Sequence, residues 1–232
     1  MNLLDELVLL AYDDEGRRII DGGSLDYALA GALLVELALA ERVGVENGRV
    51  VVLNTTPVDD GGLVTQALNR ISADGRDRKP GHWVRKLSQG VRQPVLDHLV
   101  AAEVLRVVHS RVMIVFPRTR YPAVHGVEPI AETEARGRMR AALEGTGPVE
   151  PRTGALCALV AATGSERKIF PDMDRKLLRA RLEEISEGEW AAEAVHRTIR
   201  DVQMAVAAAV VVTDGGGGDG GGGGDGGGGG GS

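Results

Sequence analysis

The residues with the clearest chemical potential are the positive side chains in the middle of the chain, because they could bind an anion. Between Arg70 and Arg120 there are eleven bases and four acids, a net charge of +7 in a chain whose total is −6. Such asymmetry favours an anionic partner at one face, while the acidic remainder keeps the protein soluble. The alternative is a solvated face whose bases pair with carboxylates elsewhere in the fold.

Arg92 is the main candidate within this basic segment. Pro94 disfavours helical geometry at Gln93, so a helix is predicted to begin at about that point. Arg92 would then lie at a helix N-terminus beside Gln89 and Gly90, where free N–H groups favour a phosphate. Its guanidinium group could add a bidentate contact, although a structural salt bridge is an equal alternative. Three nearby bases would add diffuse attraction: Lys79, Arg85 and Lys86.

Residue types that usually carry enzyme chemistry are present but scattered. The five histidines form no pair with metal-ligand spacing, and Cys157 lies alone in an apolar run typical of a buried core. Neither a nucleotide-binding glycine motif nor a Gly-x-Ser-x-Gly elbow occurs. The acids of Asp13-Asp14-Glu15 lack the spacing of a calcium loop. We therefore predict no enzymatic activity, no metal and no cofactor, although a catalytic triad would assemble in space rather than along the chain.

The first fifty residues predict two helices and a hairpin. Leu3, Leu7 and Leu10 share one face of a short helix that Asn2 could cap. A second, longer helix, capped by Ser24, is apolar on nearly all sides and should be central and buried. The following segment, VGVENGRVVV, is typical of a β-hairpin with an Asn-Gly turn.

The rest of the chain reads as further helices and a second hairpin. That hairpin is predicted over Val104–Phe116, with its turn at His109-Ser110. Helices are predicted around Leu63 and Trp83, from about Pro94 to Ala102, and at Ile130–Leu143, Gly154–Thr163, Arg175–Glu187 and Trp190–Val212. The fold class is therefore mainly α, a single helical domain (residues 1–213) decorated with two small β-hairpins. Residues 214–232 are almost pure glycine and predict a disordered tail.

Several sequence blocks resemble the Golgi phosphoprotein 3 family, and the closest likeness is to its bacterial branch. These blocks are LLDELVLLAYDDEGR, LAGALLVELALAERV, VRQPVLDHLVAAEVL, SRVMIVFP and DRKLLRAR. The resemblance spans roughly residues 1–213. It implies a non-enzymatic peripheral membrane protein that binds phosphatidylinositol 4-phosphate and helps retain or sort membrane proteins.

The resemblance also implies positions for the binding site. The four family positions that hold the lipid head group fall on Asp21, Ala30, Gln89 and Arg92, of which Arg92 alone keeps the family residue. In the family the second hairpin is linked to self-association and membrane contact. Here this implies contact through Val107, Val108, Val112 and Met113, and a homo-oligomer. The alternative is that the inner face of this hairpin covers the core.

The predicted function is binding of anionic phospholipid head groups by a cytoplasmic protein at the inner face of a membrane, with membrane-protein clients as further partners. The N-terminus is not predicted to be a secretory signal, and no apolar stretch is expected to reach the roughly 18 residues of a spanning helix. The alternative is a winged-helix nucleic-acid-binding protein, because a helix precedes the second hairpin. A pI of about 5.5 and an acid, Asp97, beside the sole polar reader His98 oppose it, so no nucleic acid is expected.

Overall fold

The structure is a computed structural model that describes residues 1–58, 62–112, 116–187 and 193–214. Within these residues the chain forms helices and two separate antiparallel hairpins, β1–β2 and β3–β4. The elements are α1 (Leu3–Leu10), α2 (Gly22–Leu39), β1 (Val43–Glu46), β2 (Arg49–Val52), α3 (Leu63–Asp74), α4 (Pro80–Leu87), α5 (Arg92–Ala101), β3 (Val108–Val112), β4 (Phe116–Arg120), α6 (Ile130–Glu144), α7 (Pro151–Ala162), α8 (Glu166–Ile169), α9 (Arg175–Glu187) and α10 (Glu193–Asp214). The predicted fold class is confirmed.

Helix α2 is the centre of the fold, as its apolar sequence predicted. It packs against α1, α3, α4, α7 and α10, and its leucine and alanine side chains are almost all buried. The helix has 18 residues and is apolar enough to span a bilayer, so the expectation that no stretch reaches this length was wrong. Because 67% of α2 is buried within the protein, its hydrophobicity is accounted for by the core.

The start of α2 differs from the prediction by one turn. The cap is Asp21 rather than Ser24, because the Asp21 carboxylate accepts a hydrogen bond from the Ser24 N–H at 3.1 Å. Gly22 and Gly23 therefore belong to the first turn of the helix. Asn2 caps α1 as predicted and forms a reciprocal capping box with Asp5.

Helix α10 approaches α2 closely at a glycine. A Cβ atom at Gly31 would lie 2.6 Å from Val206 Cγ2 and 2.9 Å from Leu159 Cδ2, both of which are fully enclosed side chains. Such distances are shorter than van der Waals contact, so only glycine allows α2, α7 and α10 to pack at this separation. The position therefore sets the spacing of the three helices.

Buried acids link the ends of four helices through arginine. Arg138 on α6 donates to Glu6 Oε1 at 2.9 Å, and Arg152 on α7 donates to Glu36 Oε1 at 2.9 Å. Arg152 also lies 3.6 Å from Glu6, so one guanidinium group serves both carboxylates. Removing one partner of such a pair would leave a buried charge uncompensated, which is strongly destabilising. The network joins α1, α2, α6 and α7.

The first hairpin follows its sequence signal. Val45 pairs with Val50, and Asn47 and Gly48 between the strands both have positive φ, at 50° and 70°. Those angles are the ones that a two-residue type I′ turn requires. The Val45 N–H donates to Thr198 Oγ1 at 3.0 Å, which fixes the hairpin against α10.

The second hairpin was predicted at the wrong register. His109 and Ser110 do not form its turn but lie within β3, where they pair with Thr119 and Arg118. The innermost pair is Val112 with Phe116, so the connection falls on residues 113–115, outside the described residues. His-Ser lacks the positive-φ preference that a two-residue turn needs, and both residues are compatible with a strand.

The stem of this hairpin is fixed to the turn after α1. The Tyr121 N–H donates to the Gly16 carbonyl at 3.0 Å, and a Cβ at Gly16 would lie 2.2 Å from the Pro122 nitrogen. Gly16 also has a φ of 70°, a conformation that other residues adopt at a cost. Two further backbone hydrogen bonds close the stem: the Arg106 N–H donates to the Pro122 carbonyl, and the Val124 N–H donates to the Val104 carbonyl.

Most remaining helices fall near their predicted positions. Helix α9 has the predicted bounds, and α6 begins at Ile130 as predicted. The prediction missed α8, which is a single turn. Helix α10 reaches Asp214, so the domain boundary at residue 213 and the disordered tail stay predictions, and residues 215–232 lie outside the described residues.

Two glycine-to-alanine substitutions should change stability in opposite directions. Gly31→Ala forces atoms of Val206 and Leu159 apart and should destabilise the protein by about 1–3 kcal/mol. Gly137→Ala, inside α6, meets no atom within 4 Å and should stabilise it by about 0.5–1 kcal/mol through helix propensity. Urea unfolding would measure both. Equal effects of the two variants would contradict the close packing at Gly31.

Candidate anion-binding site

Arg92, the leading candidate from the sequence, faces the N-terminus of α2. Its Nη1 donates to the Gly22 carbonyl at 3.4 Å, and its Nε lies 3.5 Å from Asp26 Oδ1. Helix α5 begins at Arg92, close to the predicted start, and places this side chain against the first turn of α2. The side chain is half-buried, so its guanidinium group is held in position but still reaches solvent.

Arg18 joins Arg92 at this place, although the sequence analysis did not select it. Asp13 accepts from the N–H of Glu15 at 3.0 Å and from that of Arg17 at 2.8 Å, so residues 13–17 form a tight reversal. The reversal pairs Arg18 with Tyr12 in a short antiparallel bridge. Arg18 therefore returns along the end of α1 and reaches the beginning of α2.

Gly22 makes the space in which both arginines meet. A Cβ at this residue would lie 2.8 Å from Arg18 Nη1 and 2.9 Å from Arg92 Nη1. Both guanidinium groups are therefore in contact with one small residue at the exposed end of a buried helix. We call this arrangement the Arg18–Arg92 pair. Two like charges held this close favour a shared anion between them.

Two carboxylates lie beside the pair and partly offset its charge. Burial raises the pKa of Asp26, and the positive charges of Arg92 and Arg18 oppose that rise. The backbone N–H of Ser24 lowers the pKa of Asp21, which is occupied as the helix cap. Asp26 Oδ1 accepts no hydrogen bond from a described residue, so its contact with Arg92 is a loose ion pair. An incoming phosphate could therefore compete for Arg92.

Two tyrosines form the wall next to the pair. Burial raises the pKa of Tyr12, which also feels the charges of Arg92 and Arg18. Tyr12 packs edge-on against Tyr121 at the hairpin stem, with ring centroids 5.9 Å apart. The Tyr121 hydroxyl lies 3.4 Å from the Gln93 side chain on α5. The site thus joins three segments: the turn after α1, the start of α5 and the second hairpin.

The N-terminus of α5 adds backbone donors. Val91 occupies the cap position without a side-chain hydrogen bond, and Gly90 before it has a φ of 73°. The N–H groups of Arg92 and Gln93 are therefore left without a side-chain cap, whereas Pro94, the third residue of the helix, has no N–H to offer. This geometry favours a phosphate near Arg92, as expected from the sequence.

The other predicted site residues do not gather around Arg92 in one cavity. Lys86 and Gln89 line a separate open concavity of about 420 Å³ with Arg70, Ala73 and Asp74. Lys86 there is 3.3 Å from Asp74 and 4.8 Å from the centre of the Trp83 ring. A carboxylate thus already compensates Lys86, as the alternative reading of the basic segment supposed.

Lys79 and Arg85 are exposed and line neither the concavity nor the contacts of Arg92. Lys79 precedes the first residue of α4 and Lys86 lies in its last turn. Seven residues of helix separate them by about 10 Å, so neighbours in sequence become distant in space. These two bases can add only diffuse charge.

The candidate membrane hairpin is described only in part. Val107 precedes β3 and is 42% exposed, whereas Val108 is half-buried and pairs with Arg120. Val112 pairs with Phe116, and Met113 lies outside the described residues. The exposed valine is compatible with contact to a partner, while Val108 supports the alternative that part of the hairpin covers the core.

Groups suited to metal or nucleophilic chemistry do not come together in the described part of the chain. No group of three or more histidine, cysteine or acidic residues there could hold a metal ion. Burial raises the pKa of the Cys157 thiol to about 12, so this residue is a protonated member of the core.

The sequence profile of the Golgi phosphoprotein 3 (GPP34) family matches residues 3–202. The match covers most of the chain, so the protein belongs to this family. Membership suggests a phosphoinositide-binding, Golgi-associated protein. No curated protein sequence matches the chain. The match is to the family as a whole, so the likeness to its bacterial branch stays a prediction.

One acid near the site has a raised pKa. Glu132, on the first turn of α6, is enclosed below the hairpin stem and the turn after α1. Burial raises its pKa from 4.5 to about 7; Arg136 Nη2 at 2.6 Å opposes the rise but does not cancel it. The negative charges of Glu128 and Asp14 also raise the pKa of Glu132.

Glu132 should make stability fall with rising pH. Below pH 4.5 the group is protonated in both states; between 4.5 and about 7 the unfolded state loses its proton first, so the folded state is progressively disfavoured. Relative to the wild type, Glu132→Gln should therefore become more stable as the pH rises from 5 to 8. Thermal unfolding at several pH values would measure this. Glu134→Gln, an exposed change on the same helix, is the control and should give a constant difference.

Proposed function

We propose that this protein is a non-enzymatic peripheral membrane protein that binds anionic phospholipid head groups through the Arg18–Arg92 pair. The observation that carries the proposal is the convergence of two guanidinium groups on Gly22 at the start of α2. Phosphatidylinositol 4-phosphate is the lipid that the family suggests. We further propose that it acts at the cytoplasmic face of a membrane, as an adaptor for membrane-protein clients.

The chemistry of the pair fits a phosphate group. Guanidinium groups form parallel hydrogen bonds to phosphate oxygens, and these are stronger than neutral ones. Arg18 forms no ion pair within the part of the chain that the structure describes, and the Arg92–Asp26 contact is long. The uncapped start of α5 supports Arg92 with backbone donors. Because Arg18 takes part, the site keeps two arginines although only one family position is retained.

Neutralising either arginine should weaken binding to anionic membranes. Each base near an anionic surface contributes about 1 kcal/mol, and a direct phosphate contact contributes more. Arg18→Gln and Arg92→Gln should therefore each reduce vesicle binding about tenfold or more. Co-sedimentation with phosphatidylcholine vesicles, with and without phosphatidylinositol 4-phosphate or phosphatidylglycerol, would measure this.

Arg76→Gln is the matched control for this experiment. Arg76 is an exposed base of the same basic segment but lies outside the pair, so its loss should have the smaller effect of diffuse charge alone. Equal losses for Arg76, Arg18 and Arg92 would assign binding to net charge rather than to a site. Negligible binding to both vesicle types would refute the proposed function.

Asp26→Asn should act in the opposite direction. The substitution removes the carboxylate that competes with a phosphate for Arg92, and the buried charge that it removes is costly to the folded state. We expect tighter binding to phosphatidylinositol 4-phosphate vesicles by severalfold and unchanged or increased thermal stability. Weaker binding by this variant would show that Asp26 positions Arg92 rather than competing for it.

Nucleic-acid binding is the alternative to exclude in the same experiments. The exposed side chains of α5 include Asp97, which accepts a hydrogen bond from Gln93 at 2.7 Å. An acid at this position would face DNA phosphates unfavourably. A gel shift at low salt should therefore detect no complex, whereas a stable complex would favour the winged-helix alternative. Homo-oligomerisation through the second hairpin stays part of the proposal.

A further inference from the structure

A second candidate site lies in the C-terminal part of the described chain, between α9 and α10. Residues of α7, α8, α9 and α10 line an open cavity of about 390 Å³, which we call the α9–α10 cavity. Gln203 on α10 donates to Ser186 on α9 at 3.1 Å and connects the two walls. A cavity of this size is large enough for a small organic ligand.

Glu166 is the unusual residue of this cavity. It opens α8, lines the cavity and is only 8% exposed. Its Oε2 accepts no hydrogen bond from any described residue. A buried carboxylate oxygen without a hydrogen-bond donor is costly, and a donor from a bound ligand would relieve that cost. The carboxyl torsion is soft, so either oxygen can turn toward the cavity.

Charge is arranged by depth within the cavity. Glu166 and the apolar Leu182 are buried at its base, whereas Arg179 and Arg200 are exposed at its mouth. Neither arginine forms an ion pair with a carboxylate in the described ranges. Two exposed acids, Glu183 and Glu187, also line the mouth and balance these arginines. The cavity thus has a buried acid with one unpartnered oxygen inside, and two exposed arginines with two exposed acids at its opening.

We propose that the α9–α10 cavity binds an aminoalkyl phosphate, a group with a primary ammonium at one end and a phosphate at the other. The ammonium donates to Glu166, the short methylene chain packs on Leu182 and Met204, and the phosphate meets Arg179 and Arg200 at the mouth. Either a free zwitterion or the head group of an ethanolamine phospholipid can supply this chemistry. In such a lipid the ammonium is the outermost group, so it would enter the cavity first.

The probes separate the two ends of the ligand. Calorimetric titration of the full chain with O-phosphoethanolamine, ethanolamine and inorganic phosphate should give decreasing affinity in that order. Glu166→Gln, which keeps the size of the side chain, should reduce the affinity for the first two at least about tenfold. Arg200→Gln should lower the affinity for O-phosphoethanolamine and leave the affinity for ethanolamine unchanged. Glu184→Gln, an exposed change on α9 outside the cavity, is the control and should alter nothing.

Several outcomes would overturn this assignment. Equal binding of inorganic phosphate and O-phosphoethanolamine would make the cavity a simple anion site, and an unchanged Glu166→Gln affinity would remove the acid from it. Vesicles distinguish the sources: phosphatidylethanolamine should bind better than phosphatidylcholine, whose quaternary ammonium has no N–H donor, if a lipid is the ligand. If O-phosphoethanolamine binds but the protein does not distinguish the two kinds of vesicle, the ligand is the free zwitterion. The Arg18 and Arg92 variants should leave every one of these affinities unchanged, so this test is independent of the proposed function.

Discussion

The whole surface of α2 has to be covered by protein, because this helix has no polar face. That requirement explains why α1, α3, α4, α7 and α10 surround it and why the hairpins remain at the periphery. It also explains the position of the buried charges. Glu36, the one acid in the second half of α2, receives Arg152, and the same guanidinium group serves Glu6 on α1. Arg138 on α6 also pairs with Glu6, so the same buried acids link α1, α6 and α7 to α2.

The candidate anion site depends on the same constraint. A helix that is buried along its length reaches solvent at its ends, and the first turn of α2 is such an end. Gly22 lies in that turn, the turn after α1 and the start of α5 bring Arg18 and Arg92 against it, and Tyr12 lies close enough to feel both charges. Arg92 is part of helix α5, and Arg18 is fixed by its backbone bridge to Tyr12, and anchoring of this kind lowers the ordering cost of binding.

The sequence was sufficient for most of the fold and for part of the site. Leucine spacing located α2, the Asn-Gly turn located the first hairpin, and the helix over Arg175–Glu187 was predicted to the residue. Local patterns failed where a contact distant in sequence decides the outcome. The His109-Ser110 turn was wrong because the register of the strands comes from their tertiary contacts, not from turn residues. Likewise, Lys79 and Lys86 are close in sequence, but they lie at opposite ends of α4 and so do not form one site.

Arg18 and Glu166 were missed for a related reason. Arg18 lies outside the basic segment, and only the chain reversal at residues 13–17 brings it to Arg92. The Asp-Asp-Glu-Gly sequence is a signal for that chain reversal, but it does not indicate that Arg18 would reach Arg92. Glu166 carries no sequence signal, since an exposed and a buried glutamate look alike until the helices around them are placed.

The close contact between α2 and α10 also has a consequence for biosynthesis. Gly31 lies near the beginning of the chain, and Val206, which covers it, is among the last described residues to leave the ribosome. For most of translation, therefore, a nascent helix long and apolar enough to cross a bilayer lacks its principal cover. Chaperones and the membrane-insertion machinery have access to it during that interval. Helix α10 therefore completes the cover of α2 only after nearly all of the described chain has been synthesised.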